Sequence, residues 1–379
     1  MPDVLIAADT LRSPEMRHEV PVSIPDPFFY FERDGRRIAV VGSFEVPRVE
    51  ELGLGHEVYA PERFGLDELV KSGLQYWEIA REICLRACRE FGLESAVVPH
   101  TFPLETADYL RENGIDVRVD REFFAGRRRV KNESELAGIR RAQRACEAAM
   151  DVARDLLRRS EPGNGTLVLD GEPLTCERVK ARVEQVFSEH GVAAEESIVS
   201  HGAQTAIGHD MGSGPIAPGE PIVLDLFPRD RETGCYADMT RTFVVGTPPD
   251  ELVEYHRAVK EVLDRSLGEI EPGKDGSELN RIASEQFEEK GYRTLLSKEP
   301  GEVLLEGFFH SLGHGVGLEV HELPVLGRIP GQELVAGDVV TVEPGLYRQG
   351  FGGCRLEDLV LVTQDGAENL TDYPYDLTP

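Results

Sequence analysis

From Asn132 onward the apolar periodicity of the chain alternates in blocks between the 3.6 residues of a helix and the 2 residues of a strand. Asn132 with Glu135 three residues on forms a capping box, which predicts a long amphipathic helix to about residue 158. SEPGNG breaks it, and Thr175 caps a second helix to about residue 189. PIVLDLFPRDRETGCYADMTRTFVVG then reads as a hairpin of strands over residues 222–227 and 235–245. Two more helices, over about 250–268 and 277–290, lead to a second hairpin, DVVTVEPGLYRQGFGGCRLEDLVLVT. Helix pairs set between antiparallel hairpins restrict this part to an α+β domain built from two similar halves.

The first 120 or so residues carry a different pattern, that of a small α/β domain. DPFFYFERDGRRIAVVGS predicts two strands joined by a turn at Asp34 and Gly35. Helical spacing runs over 66–91 with Gly92 as its stop, and SAVVPH and DVRVD are short strands around the helix TADYLRENG. FAGRRRVKNESELAG is the boundary, dividing the chain into 1–126 and 127–379.

A formal net charge of −28 excludes nucleic-acid backbone as a partner, because such proteins concentrate Lys and Arg on one face. The basic run Arg127, Arg128, Arg129 and Lys131 reads as a solvated interdomain segment. Six scattered cysteines without a C-x-x-C pair fit a reduced chain, with Cys84 and Cys88 one helical turn apart in a core. The start of the chain lacks a basic leader, and no apolar run approaches the roughly 18 residues of a membrane span. These features predict a cytoplasmic protein without a membrane partner.

Carboxylates interrupt both hairpins. Asp225 breaks IVLDLF, and Asp238 shares one strand face with Thr240 and Thr242, although Asp is disfavoured in strands. Glu343 ends VVTVE and Glu357 interrupts CRLEDLVLV; alternation sends the adjacent Asp358 to the opposite face. Solvation on an open sheet face would explain any one of them. Facing one another out of water they would repel unless a cation sat between them. With His314 they make four carboxylates and one imidazole, a charge that matches two divalent ions. Such an oxygen-rich set suits Mn²⁺ or Co²⁺ and tolerates Zn²⁺.

FFHSLGHGVGLEVHELP places three of the ten histidines, His310, His314 and His321, among three glycines. Together with VLDLFP, GCYADMTRTF, VTVEPGLY and GCRLEDLVLVT, in this order along the chain, this stretch resembles the pita-bread metallopeptidases of peptidase family M24. That family includes Xaa-Pro dipeptidases (prolidases), aminopeptidase P, methionine aminopeptidase and creatinase. The N-terminal part is similar, more weakly, to the creatinase/prolidase-type N-terminal domain. The resemblance implies a curved antiparallel sheet with outer helices and a pseudo-twofold.

It also implies that Asp225 is a terminal ligand, that Asp238 and Glu357 bridge two ions, and that His314 and Glu343 hold the second. A hydroxide shared by the ions would attack the scissile carbonyl, with Glu343 as proton acceptor. His209 would face the substrate, and His321 would stabilise the developing oxyanion or guide a proton. His310 would line the substrate pocket, with Phe308, Phe309 and Val320 beside it, and His201 would be structural. Arg355 and Arg241 would orient ligand carboxylates or neighbouring strands, and the glycines of LGHGVG would let backbone pass close to the metals. The implied substrates are short proline-containing peptides, and the implied assembly is a homodimer.

Three departures stand out. Phe227 and Pro228 follow Asp225 where many relatives have a glycine, the turn PRDRETG is long, and Val325 takes a place where prolidases often carry Arg. Two alternatives share the fold: a creatinase-like hydrolase of a non-peptide C–N bond, and a catalytically silent binding module. Both tend to lack ligands that this chain retains.

Overall fold

Asp34 and Gly35 both take positive φ, 50° and 77°, which is the backbone of a two-residue hairpin loop matched to strand twist. The computed structural model describes residues 2–379. Its contacts divide it into two compact units, one ending at Arg128 and one running from Arg129 to Pro379. In the first, the turn sits within a six-stranded sheet whose strands are β1 (Val4–Ala8), β2 (Phe28–Arg33), β3 (Arg36–Val40), β4 (Glu57–Tyr59), β5 (Ser95–Val98) and β6 (Asp116–Val119). Their spatial order is β4-β3-β2-β1-β5-β6.

Helical spacing over 66–91 resolves into two helices, α1 (Leu66–Lys71) and α2 (Tyr76–Phe91), because Gly73 turns the chain between them at φ 82°. Gly92 ends α2 in the left-handed conformation, and α3 (Leu104–Glu112) follows β5. Cys84 and Cys88 lie in the core of this unit, and all six cysteines are free and buried. No described helix is long and apolar enough to cross a membrane.

The basic run is not solvated. Arg127 forks onto Glu19 and Glu32 within the first unit, and Arg129 reaches the fully buried Asp338 within the second. Lys131 pairs with Glu322 where both side chains are almost wholly shielded. Sequence composition suggested a charged linker; burial of the carboxylate partners makes these cations anchors instead.

In the second unit the capping box at Asn132 and Glu135 starts α4 (Glu133–Arg159), which packs against α5 (Cys176–Glu189). Ala142, Cys146, Ala149 and Ala153 recur at helical spacing on the buried face of α4. They join a core with Leu224, Leu226 and Met239 of a three-stranded sheet ordered β7 (Ile198–His201), β8 (Ile222–Leu226) and β9 (Met239–Phe243). A second helix pair, α6 (Asp250–Gly268) and α7 (Gly276–Glu289), covers its own core with Val340, Val342 and Leu346.

The strands from the histidine stretch onward are β10 (Gly313–Gly315), β11 (Glu322–Leu326), β12 (Val339–Val342), β13 (Gly345–Arg348), β14 (Gly352–Arg355), β15 (Asp358–Thr363) and β16 (Gly366–Asn369). Five of them form a sheet ordered β11-β10-β12-β15-β16, and β13 pairs with β14. A Cβ on Gly313 would lie 2.0 Å from the Thr341 carbonyl oxygen, and one on Gly315 would lie 2.5 Å from that of Leu323. These glycines therefore let β10 press between its neighbouring strands, which is what fixes the height of His314 between them.

Gly313→Ala should destabilise the chain by about 1–3 kcal/mol, the range for overpacking a closed site. Gly126→Ala, on an exposed helical position with open space around it, should be neutral or mildly stabilising. Urea unfolding midpoints measure both; equal midpoints for Gly313→Ala and wild type would contradict the close approach.

Candidate metal centre

The second hairpin breaks into two ladders, and its glutamates occupy the breaks. Val342 pairs with Asp358 and Gly345 pairs with Arg355, leaving Glu343 just after β12 and Glu357 just before β15. Asp225 lies within β8 opposite Thr240. Asp238, expected inside a strand, instead stands one residue ahead of β9, whose ladder begins at Met239. His314 is the middle residue of β10, opposite Val325. Side chains that leave a strand at its end or kink can converge where strict alternation would send them apart.

Ligand atoms of Asp238, His314 and Glu357 all lie within 4.8 Å of one another. His314 Nε2 is 3.5 Å from Glu343 Oε1 and 3.8 Å from Asp238 Oδ2. Its Nδ1 faces the Gly315 carbonyl at 3.2 Å, and since a carbonyl only accepts, the proton sits on Nδ1. Nε2 thus turns a lone pair toward the carboxylates. Thr240 Oγ1 donates to Glu357 Oε2 at 2.7 Å, and Arg355 donates through Nη2 to Asp225 Oδ2 at 2.6 Å and through Nε to Thr240 Oγ1 at 3.2 Å.

Burial dominates the electrostatics, and the crowding of like charges adds to it. Burial, with Glu357, Asp225 and Glu343 next, holds the Asp238 carboxyl well above its usual range. Burial, then Glu343 and Asp225, do this to Glu357, against the pull of Arg355. Burial raises Glu343 to about 8, with Arg355 opposing and Asp225 adding. Burial lowers His314 to about 3, with His321 adding, so its imidazole is neutral.

Among the described residues, neither Asp225 Oδ1 nor Asp238 Oδ1 has a hydrogen-bond partner, although both atoms are buried. A shielded carboxylate oxygen left unpaired costs free energy that a cation would remove. The donors are hard oxygens plus one neutral imidazole held by a carbonyl behind it, as divalent-metal sites require. These residues fit divalent metal.

The other predicted residues surround this cluster. His310 Nδ1 donates to the Ser311 carbonyl at 2.8 Å, so its Nε2 accepts the Tyr347 hydroxyl proton at 2.9 Å, and Arg355 Nη1 donates to the same hydroxyl oxygen at 3.1 Å. Burial, then Arg355, lowers His310 to about 4. The ring of His321 stands 4.2 Å from that of His314, and its edge is exposed. His209 is exposed on its loop and near enough that its charge lowers both His310 and His321. His201 is held by Glu220 at 2.8 Å.

Phe308 does not line this region: it is 1% exposed and packs on Phe287 in the core under α6 and α7. Phe309, the next residue and on the opposite side, leans on Tyr347 at 5.2 Å, and Val320 is half-buried. Tyr347 and Thr240 were not expected as partners of the site. Thr240 shares the parity of Asp238, which could have flagged it; Tyr347 gave no such signal.

Known proteins resemble this chain in sequence and in fold. The sequence profile of metallopeptidase family M24 matches residues 137–364. The Xaa-Pro dipeptidase of Pyrococcus horikoshii is 30% identical over 290 residues, 76% of this chain and 74% of that one. The Xaa-Pro dipeptidase of Pyrococcus furiosus is 37% identical over 196 residues, a match that spans 52% of that protein's length and 51% of this chain. A solved Xaa-Pro dipeptidase from Bacillus anthracis superposes with a TM-score of 0.79 at 25% identity, covering 100% of this chain and 94% of the other. With its helix pairs set against antiparallel strands in the pita-bread fold, the chain belongs to metallopeptidase family M24.

Proposed function

We propose that the chain is a dinuclear-metal exopeptidase that hydrolyses the bond before proline in short peptides. The observation that carries this reading is that Asp238, His314 and Glu357 offer ligand atoms within 4.8 Å of one another, with Glu343 3.5 Å from His314 Nε2 and one buried, unpaired oxygen on each of Asp225 and Asp238. Asp225, Asp238, His314, Glu343 and Glu357 would hold the ions, four negative charges against two divalent cations. Mn²⁺ or Co²⁺ suits the oxygen-rich set best, and Zn²⁺ is tolerated. When bound, the ions would polarise the scissile carbonyl and make water a nucleophile near neutral pH.

The chain's own residues supply the rest. Glu343, whose Oε1 lies 3.5 Å from His314 Nε2, would take a proton from the attacking water in the loaded site and return it to the leaving amine. His321 presents its exposed ring beside His314, where it can donate to the oxyanion as charge develops. His209, exposed on its loop, would approach the substrate from there, and His310, fixed by Tyr347 and Ser311, would form part of the wall with Phe309. An X–Pro bond offers no N–H for a peptidase to bind, so catalysis by carbonyl activation suits it. The retained ligand set speaks against a metal-free creatinase-like hydrolase and a silent binding module. Val325, apolar and opposite His314, offers no charge to a dipeptide carboxylate, which favours X-Pro-Y over X-Pro.

Purified chain should hydrolyse X-Pro-Y with added Mn²⁺ or Co²⁺, with kcat/KM at least equal to that for X-Pro, and lose activity to a chelator. No hydrolysis of either with Mn²⁺, Co²⁺ or Zn²⁺ would sink the proposal. His321→Ala should keep its metal content and lose about 10²-fold or more in kcat; loss of metal would instead make His321 a ligand.

Metal uptake should also release protons. In the metal-free chain Glu343 is raised from 4.5 to about 8, so it stabilises the fold below pH 4.5 and this contribution fades as pH rises through 8. A cation must displace its proton, so Mn²⁺ should release protons at pH 7, and the Mn²⁺-induced rise in Tm should grow from pH 6 to 8. Calorimetry in buffers of different ionisation enthalpy reads the proton count; a count of zero at pH 7 would contradict the site.

A further inference from the structure

Arg241 is the largest fully buried side chain of the molecule. A guanidinium carries five N–H donors, and here all five are engaged. Nη1 donates to the carbonyls of Thr240 at 2.9 Å and Glu357 at 2.7 Å. Nη2 donates to Asp358 Oδ1 and to the Tyr373 carbonyl, each at 3.0 Å, and Nε donates to the Pro374 carbonyl at 2.9 Å. The Tyr375 ring lies over the guanidinium with 4.3 Å to its centroid, and its hydroxyl donates to Asp358 Oδ2. Arg241 therefore orients no candidate ligand carboxylate directly. It grips the backbone of one, Glu357, and is itself gripped by the segment that follows β16.

The rest of that grip is as specific. The Glu357 amide donates to the Thr240 carbonyl at 3.1 Å, and the Thr240 hydroxyl donates to the Glu357 carboxylate. Glu357 is thus held at N–H, C=O and side chain by two consecutive residues of β9, one of which depends on Tyr373, Pro374 and Tyr375. On either side of it, Thr371 accepts from the Leu359 amide of β15, and Val244, just past β9, donates to the Leu377 carbonyl.

We propose that the segment Tyr373–Tyr375 is a positioning element of the metal centre, acting through Arg241 on the backbone of Glu357. This rests on the reading of Glu357 as a metal ligand. Groups that orient a ligand from behind change metal affinity by about 10–100-fold when altered. A segment that merely caps the core would change melting temperature and leave the affinity of the folded chain alone.

Mn²⁺ titration, followed by the EPR signal of free Mn²⁺, separates the cases on Tyr375→Ala, Tyr375→Phe and a chain ended at Asp372. Circular dichroism and gel filtration select the folded variants. Folded Tyr375→Ala should bind Mn²⁺ about 10–100-fold more weakly, with hydrolysis recovering as Mn²⁺ is raised. Tyr375→Phe, which keeps the ring over Arg241, should recover most of the affinity. If Tyr375→Ala melts lower but binds Mn²⁺ like wild type, the positioning role is overturned, whether or not the shortened chain folds. Wild-type chain that binds no Mn²⁺, Co²⁺ or Zn²⁺ would overturn the ligand reading beneath it.

Discussion

Four carboxylates held together out of water repel one another, and the second unit is organised around keeping them there. Each loses hydration on burial, and each raises the proton affinity of the next, as Asp238, Glu343 and Glu357 all show. Asp225 leans on Arg355, Glu357 on Thr240, and His314 stays neutral with its lone pair toward the acids. Divalent cations would turn this repulsion into binding energy, so the arrangement is unfavourable alone and would be favourable when loaded.

The placement of these residues explains how a sheet can tolerate them. Glu343 and Glu357 sit where one hairpin breaks into two ladders, and Asp238 sits just before its strand. At such breaks the backbone leaves the pleat and several side chains can point into one volume. The surrounding strands must then be held without help from a regular ladder. Gly313 allows the close approach of β10 and β12, while Arg241, with all five donors engaged, stitches β9 to the start of β15.

Much of this was legible along the chain wherever local chemistry decides the outcome. The Asp34–Gly35 turn, the Asn132–Glu135 capping box and the stop at Gly92 follow from φ preferences and orphan amides. The interruption of apolar runs by Asp225, Asp238, Glu343 and Glu357 was visible because an acid in a strand pattern needs a reason. Reading failed where burial depended on a distant partner. Arg129 and Lys131 looked solvated until Asp338 and Glu322, some two hundred residues on, closed over them. Phe308 and Phe309 look alike in sequence, and only packing sent one to the core and left the other beside Tyr347.

What the sequence determined by itself is therefore the periodic pattern, the caps and turns, and the acids and histidines from which the proposed site is built. These depend on interactions spanning a few residues, which composition and spacing record. Tertiary structure alone decided which oxygens meet, that Arg355 holds Asp225 and that Tyr373–Tyr375 hold Arg241. The arginine contacts join residues more than a hundred positions apart, and their strength comes from exclusion of water, which no single stretch of the chain achieves.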